Sequence, residues 1–132
     1  MSMDPGFRRD GSYGTIRGMA GYLYILASRR YGTLYTGCTT DLPGRIYQHR
    51  EGLVPGFTRR HNVKRLVYVE TYDDISDAIV RERRTKEWNR AWKIQLIEND
   101  NPYWEDLAVS VLGFEPLPGV TPTKAGAKNR SG

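Results

Sequence analysis

Two short runs, Tyr22-Leu23-Tyr24-Ile25-Leu26-Ala27 and Thr33-Leu34-Tyr35-Thr36-Gly37-Cys38-Thr39, lie so close together that the chain has room only to turn back between them. Both are rich in aromatic and aliphatic residues and too short for an ordinary helix, so each reads as a strand. The intervening Ser28-Arg29-Arg30-Tyr31-Gly32 reads as a hairpin turn, with Gly32 available for a positive φ. Tyr24 and Tyr35 then lie on neighbouring strands. Whether their side chains share a face depends on register, because a slip of one residue sends a side chain to the other side of the sheet.

Downstream, Asp41 is a suitable N-cap and Pro43 fits a first helical turn, which gives a helix from about Leu42 to Arg50. Leu42, Ile46 and His49 form one stripe, and Arg45 stands one turn before His49 at its edge. Gly52 to Thr58 contains enough breakers to read as a loop. Leu66 to Tyr72 reads as a third strand. A second helix follows, capped by Asp73, Asp74 or Ser76, with Ile75, Ile79, Glu82 and Lys86 on one stripe, so Glu82 points inward. Beyond Glu87 the apolar set moves to Trp88, Ala91, Trp92 and Leu96, a rotation that calls for a kink or a further helix. Asn101-Pro102 ends that segment, and Tyr103 to Leu107 has room for one more turn.

A chain of 132 residues supports one core. The expected division is an N-terminal extension over residues 1–18, a domain over 19–107 and a flexible basic tail over 108–132. Pro116, Pro118 and Pro122 with Lys124, Lys128 and Arg130 mark the tail as unable to bury enough surface to order itself. Met19 is a candidate native start. No apolar run reaches the length of a membrane span, and residues 1–18 lack the apolar core of a signal peptide, so a soluble protein is expected. A single cysteine, Cys38, excludes an intramolecular disulfide and a Cys-rich metal site, which fits the cytoplasm. Twenty Lys and Arg against fifteen Asp and Glu give a net charge of +5, which favours polyanionic partners.

Phosphodiester cleavage requires an oriented water, a proton acceptor, cations on the phosphoryl oxygens and stabilisation of the leaving oxygen. Tyr24, Tyr35 and His49 are candidate proton acceptors, Arg45 a phosphate clamp and Glu82 a metal ligand. Each also has an ordinary explanation: strand tyrosines pack, a helix-edge Arg and His are solvated, and Glu82 forms a salt bridge with Lys86 one turn on. A tyrosine serves as a base at neutral pH only in a cationic pocket. Phe57 is placed to stack on an unpaired base, and Arg59, Arg60, Lys64 and Arg65, with Arg81, Arg83 and Arg84, are placed to follow a nucleic-acid backbone.

The ordered set of Tyr22-Leu23-Tyr24, Tyr35-Thr36-Gly37, Arg45, His49 and Glu82, continued by Lys86-x-Trp88 and Asn101-Pro102-x-Trp104, resembles the GIY-YIG nucleases, above all their small single-domain bacterial members. The resemblance covers about residues 19–107. It implies an α+β fold, a three-stranded antiparallel sheet flanked by helices, and hydrolysis of DNA, or alternatively RNA, through one Mg2+ or Mn2+. By motif position it assigns the active site to Tyr24, Tyr35, Arg45, His49 and the metal-binding Glu82. Gly37, which closes the second triplet, and Lys86 join the substrate-binding set, and Asn101 falls where the family has an asparagine. The sequence departs from the pattern at Tyr22, at Thr36 and at Cys38, where excision-repair relatives often carry lysine. The loss of that cation makes His49 a rival to the tyrosines as base. A nucleic-acid-binding module that cleaves weakly or not at all is the alternative.

Overall fold

A computed structural model of the chain describes residues 19–117; the expected N-terminal extension, and the tail from residue 118 onward, lie outside the described residues. The hairpin forms as expected, with β1 at Gly21–Ala27 and β2 at Leu34–Thr39. Helix α1 (Leu42–Arg50) and a short helix α2 (Phe57–Arg60) precede β3 (Arg65–Tyr72), and α3 (Ile75–Lys86), α4 (Arg90–Asp100) and α5 (Leu107–Ser110) follow it. The three strands form one antiparallel sheet in the order β2-β1-β3. The fold is α+β, with helices on both faces of a small sheet.

Because β1 is central, its alternating side chains feed two cores. Tyr24 and Leu26 pack with Leu42 and Ile46 of α1, Val63, Leu66 and Ala108 of α5. Leu23, Ile25 and Ala27 pack on the opposite face with Val67, Ile97 of α4 and Trp104. Ile75, Ala78 and Ile79 bring α3 against Cys38 on that second face. Gly21 permits this approach, since a Cβ there would stand 2.6 Å from the Ile75 backbone.

Five local expectations are corrected. The hairpin turn takes its positive φ at Tyr31 (60°), not at Gly32; Arg90 holds that turn by donating to the Tyr31 and Gly32 carbonyls at 2.6 and 2.7 Å. The segment read as a loop ends in α2, because Gly56 at φ 102° lets the chain enter a helical turn directly after Pro55. The break after Glu87 is a new helix capped by Asn89, yet α4 buries Ile97 rather than the stripe of Trp88, Ala91 and Trp92; of that set only Leu96 packs on the core. Periodicity locates an apolar face but does not say which face meets a partner. The packed unit also runs past Leu107: Ala108 is fully buried, and Leu112 and Phe114 pack against the Tyr24 core. The additional turn is α5, which starts only at Leu107, the last residue of the segment expected to form it.

The exposed edge of β3 is covered by the chain after α4. A bulge between Ile25 and Leu26 in the β1–β3 pairing leaves Val67 without a ladder partner, and Asn101 Nδ2 donates to its carbonyl at 3.0 Å. Asp106 Oδ1 accepts from Leu66 N at 3.2 Å, and Arg65 donates to the Trp104 carbonyl at 3.1 Å. These bonds occupy backbone groups that an edge strand otherwise presents to other chains. Asn101 also accepts from Glu105 N and donates to Glu105 O, so its side chain serves this clasp.

Candidate active site

The register decides the arrangement of the tyrosines. Tyr24 pairs with Gly37 and Leu26 with Tyr35, so Tyr24 and Tyr35 are diagonal neighbours on one face. Their ring centroids lie 6.4 Å apart. The Tyr24 ring lies across Gly37, where an added Cβ would stand 2.6 Å from its hydroxyl oxygen. Gly37 is therefore the floor under Tyr24.

Helix α1 supplies the next two groups. The Asp41 side chain caps it by accepting from Gly44 N at 3.2 Å, and Leu42 and Ile46 anchor it on the sheet. Arg45 and His49, one turn apart, are consequently both buried, and His49 meets the tyrosines. The His49 ring centroid is 5.7 Å from that of Tyr24 and 5.6 Å from that of Tyr35. His49 Nε2 is 3.1 Å from the Tyr24 hydroxyl and Nδ1 is 3.2 Å from Thr58 Oγ1. When Nδ1–H donates to Thr58, Nε2 accepts the Tyr24 hydroxyl proton; the opposite tautomer reverses both bonds. Thr58, which orients the imidazole, escaped sequence reasoning because it lay in a segment that read as structureless. Gln48 escaped as well; it accepts from Arg45 at 3.0 Å and fixes the guanidinium on the helix edge.

His49 is only 2% exposed, and burial, reinforced by the Arg45 charge, lowers its pKa from 6.5 to about 4. The imidazole is neutral at pH 7. The unfolded chain takes up this proton first as pH falls, so the site contributes its full stability above about pH 7 and loses it between 6.5 and about 4. Urea melts are expected to show a loss of roughly 2–3 kcal/mol between pH 7.5 and pH 4.5. The loss should shrink in His49→Gln; an unchanged pH dependence there would assign it elsewhere.

Helix α3 brings the acid. Glu82 is 1% exposed, and its Oε2 lies 3.1 Å from Lys86 Nζ while Cys38 Sγ donates to Oε1 at 3.5 Å. The salt bridge expected as Glu82's ordinary explanation is present. The same ammonium lies 5.6 Å from the Tyr35 ring centroid, so Lys86 connects Glu82 to the tyrosine pair. It supplies from a helix the cation that Cys38 does not supply from the strand. Phe57 flanks the other side: its ring stacks on Tyr35 at 6.5 Å and is 41% exposed.

The remaining basic residues divide. Arg59 and Arg60 are exposed on α2, directly after Phe57 and Thr58. Lys64 instead lines a separate cavity of about 450 Å3 with Arg50, Arg65, Asn62 and the chain near Glu115, away from the tyrosines. Arg83 and Arg84 are exposed on α3. Arg81 turns to the opposite core, where it donates to both oxygens of Glu70 at 3.0 Å.

The sequence pattern of the GIY-YIG catalytic domain matches residues 20–95, which include both tyrosine strands, the Arg45 and His49 helix and Glu82. The chain belongs to the GIY-YIG family. Within it, this GIY-YIG chain is similar to a UPF0213 protein of Staphylococcus saprophyticus, 37% identical over 76 residues that make up 58% of the chain and 92% of the relative. A UPF0213 protein of Syntrophus aciditrophicus is 35% identical over 80 residues, 60% of the chain and 91% of the relative. A solution NMR structure of a UPF0213 protein from Bacillus halodurans is 31% identical, covering 70% of the chain and 98% of that structure, with a TM-score of 0.44. No helix among the described residues is long and apolar enough to cross a membrane.

Proposed function

We propose that this GIY-YIG protein is a metal-dependent endonuclease that hydrolyses phosphodiester bonds in DNA, with RNA as the second substrate class. The observation that carries the reading is the linkage of Tyr24, Tyr35 and His49 on one side to Glu82 on the other through Lys86.

The donor set suits Mg2+ or Mn2+ rather than a soft metal, because the acid is a carboxylate. Among the described residues no group of three or more His, Cys, Asp or Glu could hold a metal, so Glu82 would be the protein ligand, with phosphate oxygens and water completing the shell. When bound, the cation supplies Lewis-acid stabilisation of phosphoryl charge. Arg45 binds the scissile phosphate and its fixed charge offsets the developing negative charge. Tyr35, the half-buried tyrosine, orients the attacking water. Tyr24 is fully buried with its hydroxyl against Nε2 of a neutral imidazole, and this pair receives the proton. Lys86, Arg59 and Arg60 hold the flanking backbone, and Phe57 stacks beside Tyr35.

Incubation of the full chain with flapped, branched and single-stranded DNA and RNA in Mn2+ tests the reading; products from none of them would overturn it. The pH profile of cleavage separates the proton acceptors. A rate that stays flat from pH 6 to 8 fits His49 with its pKa of about 4, whereas a rate that climbs about tenfold per pH unit identifies a tyrosine hydroxyl. The nearly complete burial of Glu82 beneath Lys86 favours one second reading, a nucleic-acid-binding module that does not cleave, and binding without products would establish it.

A further inference from the structure

Trp88 and Trp92 lie outside the site described above, and neither is needed for the core. Trp92 is 57% exposed, its ring meeting Trp88 edge to face at 5.9 Å. Trp88 is braced from behind. The Arg81 guanidinium lies 5.0 Å from its ring centroid, and that guanidinium is fixed by two bonds to Glu70, which in turn accepts from the Tyr68 and Tyr72 hydroxyls. Trp88, held in this way, is a preorganised ring against which Trp92 rests, and a fixed ring reduces the entropy lost when a flat ligand stacks beside it. The two rings, with Leu96 and the amides of Gln95 and Asn99, line a groove of about 220 Å3.

Charge and position select the occupant. Lys93 has its pKa lowered by burial and by the charges of Lys86 and Arg90, which places three cations around the start of α4. Lys86 is also the residue that pairs with Glu82 and lies over Tyr35, so this basic cluster is continuous with the candidate active site. A shallow groove of this size is too small for an amphipathic helix. It does match a single planar ring, whose edge groups the two amides would meet as both donors and acceptors.

We propose that the Trp88–Trp92 groove is a stacking site for an unpaired base of a nucleic-acid substrate, with Lys86 and Lys93 holding the adjoining phosphates. The proposal rests on the nuclease reading for the identity of the ligand, and it deepens that reading: the preferred substrate carries a single-stranded segment next to the scissile bond.

The test is fluorescence anisotropy of the full chain, in EDTA so that nothing is cleaved, with labelled 5′-flapped DNA and a flush duplex of equal length. Trp92→Ala is expected to weaken flap binding about tenfold while duplex binding changes less than twofold, and Trp92→Phe is expected to retain most of the flap affinity. Circular dichroism melts of both variants guard against a folding defect. Equal flap affinity in Trp92→Ala and the wild type overturns the proposal and leaves the nuclease reading standing, as does an equal loss on both ligands. So does concentration-dependent dimerisation abolished by Trp92→Ala, which would make the groove a contact between copies. A selective flap defect in a protein that never cleaves keeps the groove and ends the nuclease reading; a wild type that binds neither DNA ends both.

Discussion

Glu82→Gln is expected to lower cleavage in Mn2+ by on the order of 10³-fold, the several kcal/mol that a Lewis acid contributes to phosphoryl transfer. The substitution keeps the volume and the hydrogen-bonding reach of the side chain, so it leaves the packing of α3 on the sheet in place. It removes the negative charge that a divalent cation requires, and with it the ion pair to Lys86 at 3.1 Å. Two further readouts should move in opposite directions. Mn2+ dependence should disappear, while affinity for DNA in EDTA should hold or rise, because Lys86 is released to phosphate and one negative charge is gone from a basic surface. Glutamine at 82 with wild-type cleavage would remove the acid from the mechanism and leave Glu82 as the structural partner of Lys86. Lost cleavage together with lost DNA binding and a lowered melting temperature would mark a folding defect, which melts recorded in parallel detect.

The parts of the fold that rest on periodicity were legible in the sequence. The hairpin, α1 with its Asp41 cap and the inward stripe of Ile75, Ile79 and Glu82 all follow from local patterns that the tertiary structure leaves intact. The candidate site could be written from the sequence as a set of residues but not as a place. Its convergence turns on the pairing of Tyr24 with Gly37, and nothing in the local pattern distinguishes that register from one shifted by a residue. Thr58 and Gln48 were invisible because each acts through a partner, His49 and Arg45, whose orientation emerges only after α1 has docked. Trp88 and Trp92 gave the opposite error. Their spacing is that of a buried face, yet α4 turns Ile97 to the sheet and leaves Trp92 outside. The clasp on β3 was unreadable for a related reason: the carbonyl that Asn101 satisfies is left over by a bulge, and a bulge has no signature in this strand's composition.

The segment that carries this clasp is seated by a buried indole, and Trp104→Ala is expected to cost about 3–5 kcal/mol of stability. Trp104 is fully buried against Leu23, Ile25, Ala27 and Val67, and its Nε1 donates to Glu98 at 2.7 Å. It holds φ at 58°, in the left-handed region that a bulky residue enters only at a cost of about 1–2 kcal/mol. Its ring lies 5.1 Å from Tyr31, the hairpin residue that also has a positive φ, at 60°. One aromatic contact thus links two residues in unfavourable backbone conformations, and it joins the β1–β2 turn to the segment covering β3. Alanine at 104 removes the packing and keeps the strained backbone. A glycine there relieves the strain alone, so the difference between Trp104→Ala and Trp104→Gly measures the backbone contribution, expected at about 1 kcal/mol in favour of glycine. For a domain near 100 residues, 3 kcal/mol corresponds to a melting temperature lower by about 12–20 °C. Trp104→Phe should recover most of it. Because Trp104 lies across the sheet from Tyr24, cleavage by the folded fraction should remain close to wild type below the new melting point. A stability loss under 1 kcal/mol would show that Asn101 and Asp106 close the β3 edge without the indole.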